Sequence, residues 1–130
     1  MKVLKFGGTS VGSEQSIQAL IEIIKKEHDQ KPIVVLSAMS GVTNLLVSMA
    51  DEAAIGRSIT AQLATLQDKH FAIVKALIGV QLQNPVLTKL KLFFNELEDI
   101  LQGVSSLQEL TPKTRDLILS YGERCSTYMV

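Results

Sequence analysis

Lys5 stands just before Phe6 and the pair Gly7-Gly8, at the end of a short run from Val3 to Phe6, and that order of residue types suits the handling of a phosphoryl group. Glycines lack a Cβ, so backbone N–H groups can approach an anion closely, and a helix N-terminus that follows adds partial positive charge. A lysine in the strand feeding such a loop is a compact point charge, able to meet the negative charge that develops on a transferring phosphoryl group. The plainer alternatives are a tight turn at Gly7-Gly8 and a solvated edge lysine. Gly7 and Gly12 have the separation of a Walker-type loop, but Ser13 and Glu14 follow where that loop needs Lys and Ser or Thr. Phosphate must therefore be held in a different way.

Two further groups could do chemistry. Ser37 to Asn44 is a small-residue turn between an apolar run and a helical pattern, and Ser37, Ser40 and Thr43 offer hydroxyls there, with Thr43 favoured for substrate. Hydroxyls in that place also cap helices. Glu123 follows Gly122 in a largely apolar segment and could receive a ligand amine; its other reading is a surface glutamate. Arg115, Asp116 and Arg124 read as solvated, and His28, His70 and Cys125 belong to no recognisable acid, base or nucleophile arrangement.

The elements that must position these residues follow from periodicity. Val3–Phe6 reads as a strand, Gly7-Gly8 as a loop, and Ser13-Glu14 opens a helix with Ile17, Leu20, Ile21 and Ile24 on one face. Pro32 to Leu36, with Ile33, Val34 and Val35 not alternating, predicts a strand buried on both faces of a parallel sheet. Val42 leads into another helix. In open α/β sheets ligands sit outside the carboxyl ends of the strands, so both loops should border one cleft. From Ser58 to Leu110 the pattern is helical, with a turn at Gly79 and Asn84-Pro85, Pro85 starting the second helix, and the antiparallel pair packing on the sheet. Thr111-Pro112 starts the last helix, which carries Leu117, Ile118 and Tyr121 towards Gly122 and Glu123.

Composition limits the rest. Of 130 residues, 46% are hydrophobic, enough for one core, and thirteen Lys and Arg against thirteen Asp and Glu leave no net field to draw the chain to nucleic acid or an anionic membrane. Any bound anion needs a local site. The single cysteine excludes an internal disulfide, two distant histidines give no metal cluster, and no apolar stretch is long enough to span a bilayer. With a charged start at Lys2, the cytoplasm is the expected compartment.

Three stretches, Lys5-Phe6-Gly7-Gly8-Thr9-Ser10-Val11, Leu36-Ser37-Ala38-Met39-Ser40-Gly41-Val42-Thr43-Asn44 and Leu119-Ser120-Tyr121-Gly122-Glu123-Arg124, together resemble the aspartate kinases. The likeness runs nearly from end to end, and the helical segment before Thr111 is most similar to the kinase half of bifunctional aspartokinase/homoserine dehydrogenases. The resemblance implies an α/β fold of the amino acid kinase type, three layers α/β/α around a mainly parallel sheet, here truncated and helix-rich. It implies ATP and Mg2+ as cofactors, L-aspartate as acceptor, 4-phospho-L-aspartate as product, a place in amino-acid biosynthesis, and a homo-oligomer. On matching positions Lys5, Gly7 and Gly8 would hold the ATP phosphates with Ser10 nearby, Lys5 also being catalytic, while Thr43 and Glu123 would hold aspartate and Ser37 would line the cleft.

Residues 1–130 are expected to be the N-terminal part of such a catalytic domain, with a helical insertion at about 58–110. The family's later glycine-rich stretch and adenine-binding region would lie beyond Val130, so little or no activity is expected of these residues alone. Two other readings compete: a relative with a different acceptor, and a non-catalytic helical piece that binds a partner.

Overall fold

The strand–loop–helix order expected of the first forty residues is present in the computed structural model, which describes residues 2–130. The chain runs β1 (Val3–Phe6), α1 (Glu14–Lys26), a 3-10 turn (His28–Gln30), β2 (Ile33–Leu36), α2 (Val42–Ala54), α3 (Thr60–Leu77), α4 (Val80–Leu107) and α5 (Pro112–Met129). β1 and β2 are parallel, with Lys5 opposite Val35 and Phe6 opposite Leu36. The pairing continues one step further, where the Ser37 N–H donates to the Phe6 carbonyl at 3.1 Å. α1 starts as its sequence requires: the Ser13 hydroxyl accepts from the Ser16 N–H, Glu14 lies in the first turn and Lys25 and Lys26 in the last, each charge complementing the helix dipole. Its Ile17 and Leu20 pack with Val11 on Phe6, Val34 and Leu36.

Burial of β2 differs from expectation. Ile33 and Val35 are 48% and 44% exposed and share an open face with Val3 and Lys5, while the other face lies under α1. Within residues 2–130 that face of β2 is uncovered, and its β-branched residues fit strand geometry on either face.

The helical hairpin also departs in detail. α3 and α4 are antiparallel, but the turn is at Ile78-Gly79 and Pro85 lies inside α4, not at its start. A proline this early removes one backbone donor, and the carbonyl left without it belongs to exposed Gln81, where water can satisfy it. The Gln83 amide instead secures the turn by donating to the Ile78 carbonyl at 2.8 Å. Nor does the hairpin lie on the sheet. It packs on α2 and α5, burying Leu46, Met49, Leu66, Leu90, Phe94, Leu97, Leu101 and Ile118, and only Ile73 and Leu77 at the end of α3 reach the cluster beside β1 and β2. Each such core side chain contributes about 1.5–3 kcal/mol of transfer free energy, so this four-helix body is the principal core and sets where α2 and α5 stand. None of the described helices is long and apolar enough to cross a membrane.

His70 sits within that core, fully buried, with its Nδ1–H donating to the Leu66 carbonyl at 2.8 Å and its ring edge-on to Phe94. Because the carbonyl can only accept, Nδ1 carries the proton, and Nε2 has no partner among the described residues. Burial holds its pKa below the ordinary 6.5, opposed by the Leu66 hydrogen bond and assisted by the Lys69 charge. Above pH 6.5 both folded and unfolded chains are neutral at this site; below it the unfolded chain takes the proton first, so stability is lost as pH falls towards the folded value. We expect His70→Leu to flatten the acid limb of stability, whose slope from this one group is at most about 1.4 kcal/mol per pH unit. Denaturant midpoints across that range check this, and equal acid slopes in both proteins would refute it.

Candidate active site

The three motifs singled out in the sequence meet at the carboxyl ends of β1 and β2. Gly7 to Ser10 form a turn closed by the Ser10 N–H on the Gly7 carbonyl at 3.1 Å, and the second loop, residues 37–41, runs beside it. A Cβ on Gly8 would lie 3.8 Å from the Ala38 carbonyl oxygen, and one on Gly12 only 3.1 Å from the Ser40 Cβ. From the other side α5 arrives at the same loop: a Cβ on Gly122 would be 2.7 Å from the Ala38 Cβ and 3.4 Å from both Val42 and Leu46. The buried Ser126 hydroxyl then donates to the Ser37 carbonyl at 2.6 Å, fixing the helix to the end of β2.

Gly122 therefore has a structural task its sequence context understates, namely to let α5 touch the second loop. Alanine there would gain up to about 1 kcal/mol of helix propensity, but overpacking against backbone-anchored Ala38 costs typically about 1–3 kcal/mol, so the clash wins. We expect Gly122→Ala to lower the thermal midpoint and Ala38→Gly to restore much of it, whereas Gly103→Ala in α4, where a Cβ meets nothing within 4 Å, should raise it. Equal effects of the two alanines on the melting temperature would show that the close approach is unimportant.

The individual positions differ in what surrounds them. Lys5 is exposed on the open sheet face and makes no ion pair among the described residues. A Cβ on Gly7 would meet nothing within 4 Å, and the N–H groups of Gly8 and Thr9 have no acceptor among the described residues, so the turn presents free donors beside open space. That arrangement fits a phosphate group. Ser10 borders a hollow of about 270 Å³ with Phe6, Thr9 and Leu20. Thr43 is exposed in the first turn of α2, whose N-cap is Gly41 with no side-chain cap, so neither Thr43 nor Ser40 is used as a helix cap. Ser37 contributes its carbonyl to Ser126, and its hydroxyl makes no hydrogen bond among the described residues.

Glu123 is exposed, as its plainer reading expects, and it borders a wide hollow of about 510 Å³ with Phe93, Arg124, Thr127 and Tyr128. This hollow and the one beside Ser10 are separate, so the motifs share a loop rather than one enclosed cavity. Another hollow, about 380 Å³ between the start of α3 and the end of α4, holds none of the motif residues, and we give it no part in the site.

Arg124 is not simply solvated. Its guanidinium lies 4.3 Å from the Tyr121 ring centroid and 5.1 Å from that of Phe93, with Glu96 at 3.8 Å, and the Tyr121 hydroxyl donates to the same carboxylate at 3.3 Å. This stack joins α5 to α4. Arg115 likewise pairs with Asp51 of α2 at 2.9 Å. Burial pushes the Cys125 thiol up to about 12, so it is no nucleophile at neutral pH.

The amino acid kinase family model matches residues 1–130. The aspartokinase of Chlamydia muridarum is 39% identical over 130 residues, a match covering 98% of this chain and 26% of the relative. Chloroplastic aspartokinase 1 of Arabidopsis thaliana is 33% identical over 130 residues, covering 96% and 22%. The bifunctional aspartokinase/homoserine dehydrogenase of Buchnera aphidicola is 29% identical over 134 residues, covering all of this chain and 16% of the relative. The structure of E. coli aspartokinase III in complex with aspartate and ADP superposes with a TM-score of 0.81 at 26% identity, over 99% of this chain and 27% of that one. The chain thus spans no more than about a quarter of the length of these relatives.

Proposed function

The chain belongs to the amino acid kinase family, and from that membership we propose that it is the N-terminal part of an aspartate kinase catalytic domain, which transfers the γ-phosphoryl group of MgATP to the side-chain carboxylate of L-aspartate. The observation that carries this reading is the convergence of Gly8 in the first turn, the loop of residues 37–41 and Gly122 of α5 around Ala38, at the carboxyl ends of two parallel strands. Aspartate and ADP bound to the structurally similar E. coli enzyme support the choice of ligands.

In this reading the free amides of Gly8 and Thr9 hold the nucleotide phosphates with Gly7 and Ser10, and Lys5 faces the transferring group across the open sheet face. Thr43 and Glu123 orient aspartate, Glu123 by accepting from its ammonium, and Ser37 lines the same loop. A carboxylate is already an adequate nucleophile at neutral pH, so no covalent enzyme intermediate is needed: an aspartate oxygen forms the new P–O bond as the bond to the β–γ bridging oxygen breaks and ADP leaves. The protein contributes in-line positioning and charge neutralisation.

Magnesium, when bound, would supply further neutralisation of the phosphate charge. No group of three His, Cys, Asp or Glu converges among the described residues, so none of them forms a metal cage. We place the reaction in the cytoplasm, and we take the working form to be a homo-oligomer.

Hydroxylamine trapping of acyl phosphate, with the full natural polypeptide, MgATP and a panel of carboxylates, tests the proposal. Hydroxamate with aspartate alone is the expected result. Product with another acceptor would move the assignment to a different amino acid kinase, and none at all, with no ATP binding, would favour a helical binding module.

A further inference from the structure

Lys69 lies in the helical hairpin, outside the three motifs, yet its Nζ donates to the Ser40 carbonyl in the second loop. That carbonyl belongs to the central peptide of a tight turn. The Val42 N–H closes the turn on the Met39 carbonyl at 3.0 Å, and Gly41, at φ 83° and ψ −13°, has the conformation of the third residue of a type II turn. Type I and type II turns differ mainly by a flip of this one peptide, so whatever holds its carbonyl decides which way its N–H faces.

The N–H on the opposite edge of that peptide is Gly41's, and it has no acceptor among the described residues. Gly41 is also the N-cap of α2, two residues before Thr43, and Ser40 abuts Gly12 of the first loop. The orientation of the Ser40–Gly41 peptide therefore sets how the free amide and the first turn of α2 are presented at the junction of both loops. Lys69 has no carboxylate within 4 Å among the described residues, so no anionic side chain draws its ammonium away from the Ser40 carbonyl.

We propose that Lys69 is a positioning residue for the acceptor carboxylate: by binding the Ser40 carbonyl from α3 it locks the turn so that the Gly41 amide and Thr43 keep the geometry the substrate needs. The helical hairpin thus takes part in the site as well as in the core. This inference rests on the aspartate kinase reading for its substrate, while its turn-holding part stands on the geometry of this chain.

The test uses the full natural polypeptide with Lys69→Met and Lys69→Arg. Lys69→Met should raise KM for aspartate about tenfold with KM for ATP within about twofold. It should also weaken the nuclear Overhauser contact between the Ser40 Hα and the Gly41 N–H about twofold, because that contact is short in a type II turn and long in a type I turn, and leave the exchange of the Leu97 amide in the core unchanged. Lys69→Arg, which keeps a donor, should restore most of both. An unchanged Ser40–Gly41 contact, or a weakened one with an unaltered aspartate KM, overturns the proposal, as does faster exchange at Leu97, the mark of general destabilisation. If the wild-type protein forms no hydroxamate from aspartate, the substrate reading fails, and the Ser40–Gly41 contact alone then decides whether Lys69 holds the turn.

Discussion

Lys5→Met in the full natural polypeptide is expected to lower kcat about 100- to 1,000-fold while leaving KM for aspartate within about threefold. The reason is where the charge is wanted. Lys5 is exposed beside the Gly7-Gly8 turn and carries no counter-ion among the described residues, so its ammonium is available to a group whose negative charge grows as the phosphoryl moves. A cation that acts mainly on the transition state changes turnover, whereas one that grips the ground state changes KM. Methionine keeps nearly the length of the side chain and removes the charge, and at an exposed strand position it should leave folding intact. Steady-state kinetics with circular dichroism as a folding control decide it. A large rise in KM for ATP with kcat unaltered would make Lys5 a binding residue only.

Glu123→Gln should act on the other substrate, raising KM for aspartate about 10- to 100-fold, as expected for loss of one hydrogen bond to a charged group, with a smaller change in kcat. Glutamine preserves shape and can still accept a hydrogen bond, so the difference isolates the charge that faces the substrate ammonium. Because Glu123 is exposed and unpaired among the described residues, the substitution should leave the thermal midpoint unaltered. A dicarboxylate lacking the amino group offers a second check: its KM should be insensitive to the substitution. If Lys5→Met and Glu123→Gln lowered kcat and raised KM for aspartate alike, the division of labour between the two residues would be wrong.

Local signals account for much of the fold. Ser13 with Glu14 and Thr111 with Pro112 mark helix starts through interactions that lie within one turn, and both helices begin there, Thr111 accepting from the Thr114 N–H at 3.1 Å. The Val3–Phe6 and Ile33–Leu36 strands and the helical character of residues 60–107 were legible for the same reason. Pro85 was misleading because its local preference for a helix start is outweighed by a turn that Gly79 and the Gln83 side chain make earlier. The two-sided burial expected of β2 is met on one face within residues 2–130, the face under α1, while β-branched residues give the strand its propensity on both.

The site was legible as residue types and only partly as an arrangement. Lys5, Gly7, Gly8, Ser10, Ser37, Thr43 and Glu123 stand in short motifs whose chemistry can be read from neighbours in sequence, and the topological rule for parallel sheets already brings the two loops together. Gly122, Ser126 and Lys69 carried a fainter signal. A glycine inside a helical pattern hints at close packing without saying against what, and no local rule links Ser126 to Ser37 or Lys69 to Ser40. Those contacts join residues 89 and 29 positions apart, and they exist because the four-helix core fixes α3 and α5 against the second loop. By itself, then, the sequence determined the family and several element boundaries, since motifs and helix starts depend on residues near one another in the chain, and it named the residue types on which the proposed site draws. Only the tertiary structure decided which backbone groups are held, by which helix and in which orientation, because that follows from how α2 to α5 bury their apolar faces together.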